Sequence, residues 1–325
     1  MTELRMRDAL REAIREEMHR DERIFLMGED IGAYGGSYAV TKGLLEEFGE
    51  ERVRDTPIAE SGIVGAGIGA AMGGLRPMVE MMTINFSFLA LDQIVNSAAK
   101  LHYMSNGQIR VPMVVRMASG GGSQLAATHS HSLEGLYAHF PGLKVVCPSN
   151  AADAKGLLKR AFRDENTVIF IEHTAIYGVK GEVPDDPDYI VEFGKANVLR
   201  EGTDVTIVGY SGSVHQALRA AQILQDQEDI SAEVIDLRTL RPLDIDTVVA
   251  SVKKTNRAVI VEDDWKFGGF AGEISAQIME RAFDWLDAPV ARVCGKDVPM
   301  PYNRHLEFAA LPSEDEVADA VLAMF

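Results

Sequence analysis

The chain has 325 residues, of which 46% are hydrophobic and 25% are charged, so it is long enough to form two globular domains with buried cores. Its 32 basic and 49 acidic residues give a formal charge of −17, which argues against nucleic acid or an anionic membrane surface as a partner. Only two cysteines occur, Cys147 and Cys294, and both lie in apolar runs, which indicates neither a disulfide framework nor a cysteine-based metal site.

The N-terminal segment mixes acidic residues with arginines and has no apolar core, so it resembles neither a transit peptide nor a signal peptide. The longest uncharged apolar stretch, residues 61–75, is too short and too rich in glycine to span a bilayer. We therefore expect a cytoplasmic protein without a membrane partner.

Hydrophobic periodicity predicts alternating helices and strands in the first half of the chain. Met6, Leu10, Ile14 and Met18 recur at steps of four and predict an amphipathic helix over residues 4–18. Strand patterns follow at 24–27, 77–80, 113–116, 144–146 and 167–171, with helical patterns at 61–73, 86–103 and 150–163. This alternation is typical of an α/β fold with a largely parallel sheet.

The second half of the chain repeats this alternation after an interruption. A segment rich in Gly, Pro and Asp has no hydrophobic period and predicts a linker. Strand patterns then occur at 205–208, 232–235, 258–261 and 289–293, with helices at 213–225, 246–254 and 271–286. We therefore predict two α/β domains, residues 1–178 and 195–325, joined by a linker over 179–194, each with a largely parallel sheet flanked by helices.

The most informative stretch is a helix that begins near Glu60 and carries glycine at positions 62, 65, 69 and 73. Steps of three and four place these glycines on one helical face. Each glycine costs roughly 0.5 to 1 kcal/mol relative to alanine, so the face predicts a close packing contact, either within the chain or with another subunit. Residues 65–70 also fit the dinucleotide fingerprint G-x-G-x-x-A, but no strand pattern leads into them.

The spacing from Glu60 to Gly65 and Gly69 resembles the cofactor-activating motif of thiamine diphosphate enzymes. The wider sequence resembles the beta subunit of 2-oxo acid dehydrogenase complexes, in the transketolase-like superfamily. The supporting pieces, in order, are Arg76-Pro77, Asn85-Phe86-Ser87, Asp92 to Lys100, His129-Ser130, Pro141 to Val146, Ala154 to Leu158 and Arg163-Asp164-x-Asn166. The resemblance covers essentially the whole chain and implies a pyrimidine-binding domain followed by a transketolase C-terminal-like domain.

In the resembled family, the motif glutamate hydrogen-bonds the cofactor's aminopyrimidine ring, and Glu60 is the matching residue. To do so, its carboxyl group must hold a proton near neutral pH, which favours apolar surroundings. Ile58, Ile63 and Phe86 are the candidate walls, and Phe86 matches an aromatic that stacks on the pyrimidine. The alternatives are a simple helix N-terminal charge for Glu60 and a core position for Phe86.

A loop histidine, His129, matches a family residue that faces the substrate and the incoming lipoyl group. An imidazole can move protons near pH 7 and stabilise developing charge. His131 stands where the family commonly has Gln, and we interpret it as an ordinary loop histidine. The two histidines lack a third ligand at a fixed spacing, so a zinc site is not indicated.

A loop after a predicted helix matches a structural potassium site in relatives. Its residues are Ala161, Phe162, Asp164 and Asn166. The alternative is an ordinary turn that ends a helix, since Asp and Asn are common there.

The sequence contains no Gly-Asp-Gly segment, which in relatives anchors thiamine diphosphate through Mg²⁺. The resemblance therefore implies that an alpha subunit supplies this half of the site, in an α2β2 heterotetramer that serves a lipoyl-bearing acyltransferase core. Pyruvate is the preferred 2-oxo acid, with acetoin and branched-chain 2-oxo acids as alternatives. A non-catalytic scaffold that binds only the core would need neither Glu60 nor His129.

Overall fold

The computed structural model describes residues 1–325, which divide into two compact units. The first unit comprises Met1–Ser119 and Tyr137–Phe193, and the second comprises Gly120–Leu136 and Gly194–Phe325. Each unit has its own sheet and its own hydrophobic core. The predicted architecture of two α/β domains is thus confirmed, and the segment 120–136 clusters with the second unit although the first unit flanks it in the sequence.

The first unit is built on a sheet in which every strand pair is parallel. The strands of this sheet are β2 (Ile24–Gly28), β3 (Val53–Asp55), β4 (Arg76–Met81), β5 (Val114–Ser119), β6 (Lys144–Val146) and β7 (Val168–His173). Two further strands of the unit, β1 (Thr2–Arg5) and β8 (Lys180–Val183), form a separate two-stranded sheet. The helices of the first unit are α1 (Met6–Arg20), α2 (Leu44–Phe48), α3 (Glu60–Met72), α4 (Leu101–Met104) and α6 (Ala151–Phe162). Helix α5 (Glu134–Ala138) contains the boundary between Leu136 of the second unit and Tyr137 of the first. The strand order across the sheet is β6-β7-β5-β4-β2-β3.

The predicted amphipathic helix forms as α1 and buries its apolar face. Met6, Leu10, Ile14 and Met18 are each at most 1% exposed. Lys155 and Lys159 of α6 are also buried, and they pair with Glu12 and Glu16 of α1. The pattern of steps of four therefore predicted the packed face, while the paired lysines join α1 to α6.

Helix α3 approaches the sheet through Gly67, which does not belong to the predicted glycine stripe, the helical face that carries glycine at positions 62, 65, 69 and 73. A β-carbon at Gly67 would lie 2.8 Å from both Val79 Cγ1 and Met113 Sδ. Gly69 of the stripe, by contrast, has no neighbour within 4 Å of such an atom, and Gly62 is exposed. This glycine face is therefore exposed at Gly62 and open at Gly69, whereas a β-carbon at Gly65 would lie 3.6 Å from Gln93 Oε1 of this chain.

Two segments of the first unit differ from the sequence prediction. Residues 86–103 do not form one helix: they form a 3₁₀ turn (Phe86–Ala90), a π-helix (Gln93–Ala98) and α4. The Ser87 hydroxyl, which bonds both the Ile84 carbonyl and the Tyr137 hydroxyl, competes with regular helical pairing at the start. The predicted linker begins with β8, which pairs antiparallel with β1.

The second unit carries a five-stranded sheet in the order β14-β13-β10-β11-β9, in which only β9 is antiparallel to its neighbour. The strands of this sheet are β9 (Asn197–Arg200), β10 (Val205–Gly209), β11 (Ala232–Asp236), β13 (Ala258–Trp265) and β14 (Ala291–Gly295), and the short strand β12 (Thr239–Arg241) lies outside it. Its helices are α7 (Ser213–Glu228), α8 (Ile245–Thr255), α9 (Ala271–Ala282), α10 (Arg304–Ala310) and α11 (Glu314–Leu322). No helix of either unit combines the length and the apolar character needed to cross a membrane.

A buried ion cluster joins three neighbouring strands of the first unit. Arg116 of β5, only 2% exposed, bonds Glu80 of β4 and Glu172 of β7, with its Nε 2.7 Å from Glu172 Oε1. The Tyr177 hydroxyl donates to Glu172 Oε2 at 2.6 Å. Burial raises the pKa of Glu172, and the adjacent Arg116 guanidinium opposes that shift. The cluster holds two carboxyl groups around one permanent cation, so its stability depends on Arg116.

A second buried acid, Glu262, lies in β13 of the second unit. It is fully buried, and its Oε2 accepts hydrogen bonds from the Ala271 amide (2.9 Å) and the Tyr210 hydroxyl (3.0 Å). Burial raises the pKa of Glu262 to about 8, and these two hydrogen bonds only partly oppose the shift. The side chain therefore keeps its proton in the folded protein at neutral pH.

We expect Arg116→Met to lower the free energy of unfolding by about 3 to 5 kcal/mol, because it leaves two buried carboxyl groups without their cation. Lys180→Met is the control, since Lys180 forms an exposed pair with Glu3 and should change stability by less than about 1 kcal/mol. Urea denaturation of both variants measures the difference. Equal, small losses for the two variants would contradict the importance of the cluster.

Glu262→Gln should become more stable relative to the unmodified protein as the pH rises from 5 to 8.5. Between the ordinary carboxyl pKa and about 8, the unfolded chain loses a proton that the folded chain retains, so stability falls with rising pH unless the group is neutralised. Thermal denaturation across this range measures the gap, with the exposed Glu228→Gln as the control for the loss of one acidic group. A gap that does not widen with pH would show that Glu262 is not held protonated.

Candidate functional site

Glu60 is the first residue of α3 and is buried, with 4% of its surface exposed. The helix begins shortly after β3 ends at Asp55, which places Glu60 at the carboxyl edge of the parallel sheet. That edge is where open α/β sheets bind their ligands. The structure therefore buries the carboxyl group that the sequence singled out.

A second acid, Glu29, lies close to Glu60 and was missed by the sequence analysis. It follows directly after β2 ends at Gly28, and it is 9% exposed. Burial raises the pKa of Glu29, and the nearby carboxyl groups of Glu60 and Asp30 raise it further. Neighbouring carboxyl groups in such surroundings can share a proton. The available signal was its position, since an acid that directly follows a buried parallel strand lies at the same edge as Glu60.

Asp55 fixes the loop that follows Glu29. Its Oδ1 accepts the Gly32 amide at 2.7 Å, and its Oδ2 accepts the Ala33 amide at 3.1 Å. The end of β3 thus holds the chain that leaves β2, because one carboxyl group satisfies two backbone donors of the loop.

The three predicted walls around Glu60 differ in burial. Ile63, in α3 itself, is 3% exposed, and Phe86 is half-buried in a turn that packs on α3. Ile58 is 81% exposed, so within this chain it forms no buried wall. The structure therefore brings Phe86 to the helix that carries Glu60 and leaves Ile58 at the surface.

The predicted histidines lie on the segment 120–136 of the second unit. His129 is exposed, with its Nδ1 2.9 Å from the Thr128 hydroxyl. His131 is half-buried and packs edge-on against the Trp265 ring at 5.4 Å between centroids. Burial lowers the pKa of His131, and its backbone carbonyl accepts the Gly120 amide at 2.9 Å. These contacts are those of a structural loop histidine, whereas the imidazole of His129 is open to solvent.

The predicted potassium ligands form the turn that ends α6. These residues are Ala161, Phe162, Asp164 and Asn166. The carbonyl oxygens of Phe162 and Asp164 accept hydrogen bonds from one nitrogen of Arg76, at 3.0 and 2.9 Å. A carbonyl oxygen has two lone pairs, so a potassium ion at this turn would share these oxygens with the guanidinium. The potassium site stays a prediction.

The two halves of the chain match the models of two domain families. Residues 2–180 match the transketolase pyrimidine-binding domain, and residues 194–317 match the transketolase C-terminal domain. A solved structure described as a split-gene transketolase in an inactive beta4 tetramer superposes with a TM-score of 0.79 at 25% sequence identity, over 98% of this chain and 97% of that chain.

Curated relatives match over nearly the whole chain at higher identity. The pyruvate dehydrogenase E1 component subunit beta of Rickettsia bellii is 54% identical over 98% of both chains. The protein of the same name from Rhizobium meliloti is 52% identical over all of this chain and 70% of its own length. The mitochondrial pyruvate dehydrogenase E1 component subunit beta of Caenorhabditis elegans is 52% identical over 97% of this chain and 91% of its own.

Proposed function

Since the chain belongs to the family of pyruvate dehydrogenase E1 component beta subunits, we propose that it is the beta subunit of a thiamine diphosphate-dependent pyruvate dehydrogenase. The reaction is the oxidative decarboxylation of pyruvate with reductive acetylation of a lipoyl group. The observation that supports the proposal is the burial of Glu60 at the start of α3, within the residues that match the pyrimidine-binding domain.

The residues around Glu60 fit the aminopyrimidine end of thiamine diphosphate. When bound, that cofactor supplies the nucleophilic carbon and the electron sink for loss of carbon dioxide. Glu60 would share a proton with the ring nitrogen, and Glu29, whose pKa is raised by burial and by the neighbouring carboxyl groups, would be the second acid beside it. A raised pKa favours the neutral form of Glu29, which lowers the charge repulsion next to Glu60.

Phe86 and Ile58 complete the proposed cofactor contacts of this chain. Phe86 is half-buried on a turn that packs against α3, which suits an aromatic ring with one face on the protein and one on a flat heterocycle. Ile58 is exposed in this chain, so we propose that it contacts the cofactor only where a partner subunit covers it.

His129 is proposed to face the 2-oxo acid and the lipoyl group. Its imidazole is exposed, so an incoming group can reach it. An imidazole so placed can donate or accept a proton as the acetyl group passes to the lipoyl sulfur.

The second half of the cofactor site is assigned to an alpha subunit. No Gly-Asp-Gly segment occurs in the chain, so we propose that the alpha subunit holds the diphosphate and Mg²⁺. The glycine face of α3, open at Gly69 and exposed at Gly62, would pack against a partner subunit in a heterotetramer of two alpha and two beta subunits. That assembly would in turn bind a lipoyl-bearing acyltransferase core.

Glu60→Gln should lower pyruvate decarboxylation by roughly 10² to 10⁴ while leaving assembly intact, because the amide keeps the size of the side chain but cannot share a proton. The variant is co-expressed with the alpha subunit, and turnover is measured by dye reduction after size-exclusion chromatography. Glu51→Gln, which changes an exposed acid, is the matched control. Near-native turnover of Glu60→Gln in an intact assembly would contradict the proposed role of Glu60.

The chain alone should bind thiamine diphosphate weakly, because the proposed ligands of the diphosphate and Mg²⁺ lie on the alpha subunit. Isothermal titration with and without the co-expressed alpha subunit measures this, and only the assembled protein should show tight binding that depends on Mg²⁺. Tight, Mg²⁺-dependent binding by the chain alone would contradict the shared site.

A further inference from the structure

Glu307 of α10 is a fully buried acid that the proposed chemistry does not use. Its Oε1 accepts the Gly122 amide at 2.9 Å, and its two oxygens accept the Gln124 amide at 3.1 and 3.0 Å. The residues are 185 and 183 positions apart in the sequence. One side chain therefore satisfies two backbone donors of the segment that carries His129.

The segment held by Glu307 has an unfavourable backbone conformation. Gln124 and Ala126 have φ angles of 55° and 66°, in the left-handed region that side chains with a β-carbon avoid. Such residues cost about 1 to 3 kcal/mol each and persist only where the surroundings determine the backbone. The segment 120–126 thus needs external contacts to keep its shape.

Those contacts come from the region around α10. Besides the bonds from Glu307, a β-carbon at Gly121 would lie 3.1 Å from Met300 and 3.3 Å from Leu311. At its base, the segment is closed by the Gly120 amide, which donates to the His131 carbonyl at 2.9 Å. The Glu307 carboxyl group is the polar part of this support. An apolar side chain in its place would leave these part-buried donors without that partner.

We propose that Glu307 is a positioning residue, which fixes the segment 120–131 so that the His129 imidazole is presented in one place. The inference rests on the proposed role of His129 toward the lipoyl group. It assigns a role in acetyl transfer to a side chain of α10 that faces the loop backbone, acting through that backbone and not through contact with the substrate.

The test is Glu307→Gln in the assembled protein with its alpha subunit. The Gln side chain keeps one acceptor oxygen but replaces the other with an NH₂ group, which cannot accept a hydrogen bond from the Gly122 or Gln124 amide. The loop should therefore open more often, and hydrogen exchange of the peptide over residues 120–131 should accelerate by roughly 10- to 100-fold. The rate of reductive acetylation of a free lipoyl domain should fall at least about tenfold.

A matched control and a double variant separate positioning from a general loss of stability. Glu233→Gln changes another buried acid of the same unit, which accepts the Gly202 amide at 3.3 Å, and it should alter neither the exchange of 120–131 nor the acetylation rate. Because Glu307 acts through His129, Glu307→Gln combined with His129→Ala should be no slower than His129→Ala alone. Glu307→Asp, which keeps the charge and shortens the reach, carries the same expectations if the amide variant does not fold.

Unchanged exchange of 120–131 in Glu307→Gln would overturn the inference, and so would a loosened loop with a native acetylation rate. Multiplied losses in the double variant would also overturn it, because Glu307 would then act independently of His129. A native acetylation rate in His129→Ala would show that His129 has no role in acetyl transfer. The inference would then fail together with the proposed role of His129, and this single variant identifies that case. If only the inference about Glu307 were wrong, His129→Ala would still acetylate the lipoyl domain slowly.

Discussion

The close approach of α3 to its sheet at Gly67 is the constraint on which the proposed site depends. Any larger residue there would meet Val79 and Met113 at 2.8 Å, so the helix can lie this near the strands only with glycine. Glu60 is buried at the start of this helix, and on the opposite face Gly62 is exposed and Gly69 has no neighbour within 4 Å of a built β-carbon. One packing contact thus seats the helix whose first residue is an acid at the carboxyl edge of the sheet.

Two opposing electrostatic effects meet at that edge. A helix N-terminus favours a negative charge by about 0.3 to 1 kcal/mol, whereas an unpaired buried charge costs several kcal/mol. Glu29 follows β2 and not a helix start, and burial and the neighbouring carboxyl groups of Glu60 and Asp30 all raise its pKa. The buried ion cluster of the first unit shows the contrasting solution, in which Arg116 compensates Glu80 and Glu172. The two sites therefore differ: burial and neighbouring acids favour the neutral form of Glu29, whereas the Arg116 guanidinium opposes the effect of burial on Glu172.

Local pattern predicted the parts of this structure that depend on local sequence. The steps of four in α1, the alternating strands and helices, and the burial of Glu60 follow from periodicity and motif spacing. The continuous helix over 86–103 was wrong because the Ser87 hydroxyl and a π-helical turn break its regularity. The pairing of β8 with β1 and the bonds from Glu307 to the 120–124 backbone join residues more than 170 positions apart, and no local pattern encodes them. For Glu29, the sequence showed its position directly after a strand, but it did not show that Glu60 lies nearby.

The most direct test of the account is the protonation state of the cofactor ring that the proposed function places beside Glu60. Thiamine diphosphate labelled with ¹⁵N in the aminopyrimidine ring would be bound to the assembled protein and observed by NMR. The account predicts a ring nitrogen that is hydrogen-bonded to, or protonated by, Glu60, with a signal that moves toward that of the free cofactor in Glu60→Gln. A ring nitrogen signal identical in both proteins would contradict the central role of Glu60.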